Sequence, residues 1–186
     1  MKEESIGPPK IYLGGHIRKV ELDNGVKCWG FSSSQYVQAT VKNVEEYLEE
    51  RHRNGDNSFE LLTKAETPMT TSYRAELDII PKLSPADASY YQSLISILRW
   101  IVKLRRVDIC LEVSILSSQL ALPRVGHIEQ VLHIFAHLKK YHNAELVYDP
   151  TVPFIDEASF EVKNWTTSKF GHLQGDEILP PNAPTP

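Results

Sequence analysis

Residues 84–106, SPADASYYQSLISILRWIVKLRR, decide the architecture, and residues 107–142, VDICLEVSILSSQLALPRVGHIEQVLHIFAHLKKYH, extend it. Ser84 offers a hydroxyl cap, Pro85 suits a first helical turn, and Asp87 sets a carboxylate at the positive end of the helix dipole, which predicts a helix over 86–105. Within it Tyr90, Leu94, Ile97, Leu98, Ile101 and Leu104 recur at helical spacing as an apolar face. Gln92, Ser96, Arg99, Lys103 and Arg106 fall on the other side as a polar stripe. A second helix is expected over 107–121, burying Ile109, Val113, Leu116 and Leu120 and ending before Pro123. A third, over 124–142, buries Ile128, Val131, Leu132, Phe135 and Leu138. Amphipathic helices joined by such short links predict a bundle. Periodicity alone reads the stripe as a solvated face. Cations one turn apart also suit a polyanion whose phosphates recur along an axis, because each neutralised phosphate releases counterions.

Upstream the pattern changes from helical to alternating. A strand is expected over Lys10 to Leu22, with a slip at Ile17 and Val20 that reads as a bulge near Gly14-Gly15. Asp23-Asn24-Gly25 supplies a tight turn, and Val26 to Phe31 returns as the second strand of a hairpin. Ser32-Ser33-Ser34 then caps a helix to about Arg53, which buries Val37, Val41, Val44 and Leu48 and stops at Asn54-Gly55. Residues 55–84, with Pro68 and Pro81, read as a long connector carrying one short strand at Glu60 to Thr63, and mark the natural boundary. Short strands are expected at Glu145 to Tyr148 and Phe160 to Trp165, and an extended proline-rich tail from Ile178. The expected class is α+β: a leader (1–9), a hairpin and helix (10–54), the connector, a three-helix region (85–142), a small β segment (143–177) and a tail (178–186).

The chain has 186 residues, enough for one good core or two small ones. No apolar run approaches the length that crosses a bilayer, and the polar start, Met1 to Ser5, lacks the apolar region of a secretory signal. An intracellular, reducing setting, cytoplasmic or nuclear, is therefore expected, with Cys28 and Cys110 as buried free thiols. A net charge of −4 argues against a strong independent grip on nucleic acid. The charge is uneven, however. Residues 145–186 hold seven carboxylates against two lysines, whereas Arg99, Lys103, Arg105 and Arg106 lie within eight residues. Local binding, weak and salt-sensitive, is compatible with the overall sign.

Catalytic chemistry finds few carriers. There is no adjacent Asp-Asp pair to hold two divalent metals, no Gly-x-Ser-x-Gly, no Cys-x-x-Cys and no phosphate-binding loop. His133 and His137 stand four apart on a helix but lack an intervening Glu and a third ligand, so both read as surface histidines. His127 reads as a packing or capping residue, and Trp29 and Trp100 as core residues that could otherwise stack on bases. No catalytic residue, metal site or cofactor is assigned to the chain.

Several ordered motifs carry a family resemblance: Tyr12-Leu13-Gly14, Ser34-Gln35 followed by Tyr36-Val37, Tyr91-Gln92-Ser93-Leu94-Ile95, Arg106-Val107-Asp108-Ile109, Leu116-Ser117, Pro123 with His127, and Leu138-Lys139. From about Gly7 to Asp149 the chain resembles the end of the palm, the thumb and the connection of copia-type retrotransposon reverse transcriptases, the RNA-directed DNA polymerases of pol polyproteins. The resemblance implies that Leu13, Gly14 and Gly15 form the hairpin that presses on the primer strand, where glycine lets backbone approach a ligand closely. It also implies that Gln92, Ser96, Arg99, Lys103 and Arg106 belong to the thumb helix that tracks the template-primer duplex. The family's Mg²⁺-holding Asp-Asp hairpin and its RNase H carboxylates would lie before and after this stretch, so the chain by itself is expected to be an inactive fragment. Its expected partners are an RNA–DNA or DNA primer-template duplex and a polymerase half that carries the missing carboxylates. Val107 stands where the family often has proline, which softens the break between the first two helices. The competing expectation is a domesticated, non-catalytic helical interaction module.

Overall fold

Two consecutive residues of positive φ, Leu13 at 50° and Gly14 at 87°, reverse the chain almost at its start. They form a two-residue turn of the kind whose twist matches paired strands. Ile11–Tyr12 (β1) therefore folds back on Gly15–Glu21 (β2), with Tyr12 opposite Gly15. The expected continuous strand with a bulge is thus corrected to a hairpin, because a left-handed pair turns the chain where a bulge would only bend it. The structure, a computed structural model, describes residue 8, residues 10–151 and the strand residues 167–168 and 171–172. The expected strand at 160–165, the leader apart from Pro8, and the tail lie outside these.

A second turn at 22–26, closed by the Leu22 N–H to the Val26 carbonyl, leads into Lys27–Ser32 (β3). β3 pairs antiparallel with β2 on one side and with Glu145–Tyr148 (β4) on the other, giving the sheet order β1-β2-β3-β4. The sheet thus joins the two ends of residues 10–150, and all of the described helices lie between β3 and β4 in sequence. Gly30, central in β3, leaves the space through which Glu145 reaches Arg18 on β2; a Cβ there would lie 2.3 Å from Glu145 Oε1.

Ser34–Arg53 (α1) buries Val37, Val41, Val44 and Leu48, as its spacing predicts. Pro85–Lys103 (α2) is capped by Ser84, whose Oγ accepts the Asp87 N–H at 3.1 Å. A 3₁₀ turn at Val107–Ile109 precedes Cys110–Ser117 (α3), shorter than expected, and Val125–Lys140 (α4) follows. One apolar cluster holds these four helices together: Val37, Val44, Leu94, Leu98, Ile101, Leu116, Leu132 and Phe135 all belong to it. α2 buries Tyr91 and Ile95 as well as the anticipated Leu94, Leu98 and Ile101, while Tyr90 and Ile97 are half-buried at its edge. The burial makes α+β the observed class, with the bundle carrying most of the core.

Residues 55–84 are stitched onto the bundle. Phe59, Ala65 and Ala75 are buried, and the expected strand at 60–63 does not form. Arg51 of α1 pairs with Asp56 at the connector's start and with Asp87 of α2 at 2.7 Å. Hydrogen bonds from the Ser58 hydroxyl and N–H, together with the paired Arg51 guanidinium, bring the Asp56 carboxyl down to about 2. At the far end His127 accepts the Arg124 N–H through Nδ1 (3.0 Å) and donates from Nε2 to the Ala75 carbonyl (3.1 Å). This fixes the ring as a cap and a strut between α4 and the connector. Residues through Pro150 form one compact unit. In the second unit, Thr167–Ser168 (β5) pairs antiparallel with Gly171–His172 (β6).

Candidate nucleic-acid interface

The C-terminus of α2 positions the cations. After Leu104 the chain enters the left-handed region at Arg105, φ 74°. The Arg105 N–H donates to the Val102 carbonyl at 3.0 Å and the Arg106 N–H to the Ile101 carbonyl at 3.3 Å, the two-bond closure that satisfies a helix end. Glycine is usual at that left-handed position. Here an arginine occupies it, and the turn throws Arg105 outward and Arg106 inward. Arg106 is only 2% exposed and donates from Nε (2.9 Å) and Nη2 (2.6 Å) to the two carboxylate oxygens of Asp108. Burial alone would raise the Asp108 carboxyl, but the forked bonds and charge of Arg106 hold it below its ordinary value. Arg106 is therefore removed from the expected stripe. The spacing rule fails there because the helix ends at Lys103, and extrapolating its period past the cap gives the wrong face.

Gln92, Ser96, Arg99 and Lys103 do lie exposed on α2. Two of them are engaged locally: Gln92 Nε2 donates to the Leu120 carbonyl at 3.2 Å, and Ser96 Oγ donates to the Gln92 carbonyl at 2.9 Å. Arg99, Lys103 and Arg105 have no ion pair among the described residues. Arg99 and Lys103 flank a groove of about 470 Å³ against α3, into which Ser114, Ser117 and Ser118 also face. Cys110, expected to be buried, is exposed in that groove because it opens α3; Cys28 is buried as expected.

The β1–β2 hairpin reaches the same end of α2. Tyr12, Leu13, Trp29 and Tyr148 line a cleft of about 710 Å³ together with Lys103 and Arg105, and none of the described residues lining it is acidic. Leu13 and Gly14 are exposed at the hairpin tip, whereas Gly15 is buried. A Cβ on Gly15 would sit 2.0 Å from the Phe31 ring, so this glycine makes room for a core side chain and not for a ligand, which corrects its expected role. Trp29 is also corrected: it is 37% exposed and lines the cleft, whereas its strand neighbours Cys28, Gly30 and Phe31 are buried. Lys19 Nζ lies 5.6 Å from its ring centre. Trp100 is half-buried.

The sequence counted Arg105 among the local cations and Trp29 as a core residue able to stack on bases, but set neither in the candidate site, and it gave Tyr12 and Tyr148 no part in an aromatic wall. Arg105 lies off the helical stripe, and Tyr12, Trp29 and Tyr148 come from three strands whose pairing no local pattern reveals. The two helix histidines diverge: His133 bonds the Thr67 carbonyl at 3.0 Å, while His137 is buried with Nε2 3.5 Å from Asp108 Oδ2, so it is not a surface residue. Among the described residues no group of three or more His, Cys, Asp or Glu is placed to hold a metal. No described helix is long and apolar enough to cross a membrane. Comparison with protein-family models, curated proteins and solved structures gives no match.

Proposed function

We propose that this chain is a copia-type reverse transcriptase fragment that holds primer-template nucleic acid and performs no nucleotide transfer by itself. The observation that carries the reading is the convergence of two distant segments. The hairpin tip at Leu13 and the cationic end of α2 at Lys103 and Arg105 line one cleft that has no carboxylate among its described lining residues, with Arg99 one turn back along the helix. Those three cations have no acidic partner among the described residues, so a polyanion meets no competitor for them among these residues. A duplex lying along α2 would meet Arg99 and then Lys103, a spacing of one helical turn, before its end reaches the hairpin. Two-metal nucleotide transfer needs paired carboxylates, and no Asp-Asp pair occurs in the sequence, so no primer extension is expected from the purified chain with Mg²⁺ or Mn²⁺.

The test is fluorescence anisotropy of a blunt RNA–DNA hybrid across a salt series. Replacing Arg99, Lys103 and Arg105 together with Ala should reduce the slope of log affinity against log salt by about three, close to one per phosphate contact. Equal slopes for the two proteins, both folded by circular dichroism, would remove the proposed role.

A further inference from the structure

We infer that the cleft between the hairpin and the end of α2 takes an unpaired nucleotide, a single-stranded tail continuing from the duplex, with its base against the aromatic wall. The inference rests on the duplex reading above and assigns a second ligand element to the same interface. Exposed aromatic side chains gather here: Tyr12 is 60% exposed, Trp29 37% and Tyr148 46%. All three line the cleft, together with Leu13 at its tip. Paired bases hide their faces inside the helical stack, so a concave aromatic wall has nothing to stack on in a blunt duplex except its terminal pair. An unpaired base has a free face, and base–aromatic stacking is tolerant of base identity. The cleft's volume of about 710 Å³ suits a ligand of nucleotide size.

Charge selects the class of ligand. Lys103 and Arg105 line the cleft, Lys19 lies over Trp29, and no carboxylate shares the lining among the described residues. An apolar peptide would leave these ammonium and guanidinium groups without counter-charge. A nucleotide supplies a flat apolar face for the rings and a phosphate for the cations. The strained backbone at both ends of the cleft fits the same use. Leu13 and Arg105 are the described non-glycine residues with positive φ, and each presents its side chain to the cleft from that conformation.

The experiment compares a blunt RNA–DNA hybrid with the same hybrid carrying a five-nucleotide oligo(dT) tail, by anisotropy at fixed salt, with the whole chain. The tailed probe is expected to bind about tenfold more tightly. Trp29→Ala and, separately, Tyr148→Ala should abolish that preference, so that tailed and blunt probes bind each variant alike. Trp29→Phe, which keeps a stacking ring, should retain most of it. Arg99→Ala, outside the cleft, should weaken blunt and tailed probes equally. Tyr148 lies on an edge strand, so its variant remains informative if Trp29→Ala fails to fold. Equal binding of the two probes by the wild type overturns the inference and leaves the duplex reading standing. A tail preference that survives both aromatic substitutions overturns the assignment to this cleft, and absence of binding to either probe overturns both readings.

Discussion

Replacing Arg106 with Ala separates its two possible roles, since an exposed stripe residue and a buried strut respond oppositely. Arg106 forks onto Asp108 and is 2% exposed, whereas the Asp108 side chain is 38% exposed. Hydrogen bonds involving charged groups contribute about 1.5–3 kcal/mol, and the lower end applies because Asp108 can regain water when its partner is lost. The buried methylenes of Arg106 add about 0.8 kcal/mol each. Arg106→Ala should therefore destabilise the protein by about 3 kcal/mol. Arg99→Ala and Lys103→Ala, on the solvated side of α2, should stay within about 0.5 kcal/mol. Urea unfolding followed by circular dichroism reads the difference as a shift in midpoint at constant slope. If Arg106→Ala instead unfolds like the wild type and lowers the salt dependence of nucleic-acid binding, the buried assignment is wrong and the residue returns to the binding face.

Gly126→Ala places a Cβ 2.0 Å from Asp78 Oδ2, a carboxylate already pinned by the Tyr73 hydroxyl at 2.6 Å, and should cost about 1–3 kcal/mol in a urea melt. Leu13→Asn should stabilise by about 0.5–1 kcal/mol, because Asn tolerates the left-handed turn that Leu adopts under strain; a loss of stability would mean that the leucine's packing outweighs its strain. Asp56 is held at about 2 and Asp108 is also held below the ordinary Asp value near 3.9, so at acid pH the unfolded chain binds more protons than the folded one. Their stabilisation is present above about pH 4 and declines from there toward pH 2, and Asp56→Asn should flatten part of that decline in unfolding midpoints.

The sequence pattern was most legible where one face of a long element is repeated several times. Val37, Val41, Val44 and Leu48 define α1 without outside help, and Ile128, Val131, Leu132, Phe135 and Leu138 do the same for α4. It failed where a single residue breaks its type's habit. Leu13 in a left-handed turn looked like part of a strand beside a glycine bulge, and Arg105 in a glycine's place hid the point where α2 ends. Each error moved a candidate site residue: Gly15 from ligand contact to core spacing, and Arg106 from surface to interior. The exposed cations Arg99 and Lys103 could be read from helical spacing, but the aromatic wall opposite them depends on strand pairing between residues far apart in sequence. Such pairing is a property of the folded chain and leaves no local period to read.

The pairing of β3 with β4 also sets an order of events during synthesis. β3 ends at Ser32, yet its second neighbour begins only at Glu145, after every helix of the bundle has been made. Until then the hydrogen-bonding edge of β3 is open while Phe31 and Cys28 stand beside it, and an open apolar edge is a template for the wrong strand. Closing so long a loop costs only slightly more entropy than closing one of half the length, so the bundle can form first and deliver β4 to its place. The Arg18–Glu145 ion pair across Gly30 then fastens the last strand to the first hairpin. A nascent chain stalled between the end of α4 and Tyr148 would carry a folded helical bundle and an unsatisfied sheet, which makes the final ten residues of this unit the ones that decide whether the earlier ones aggregate.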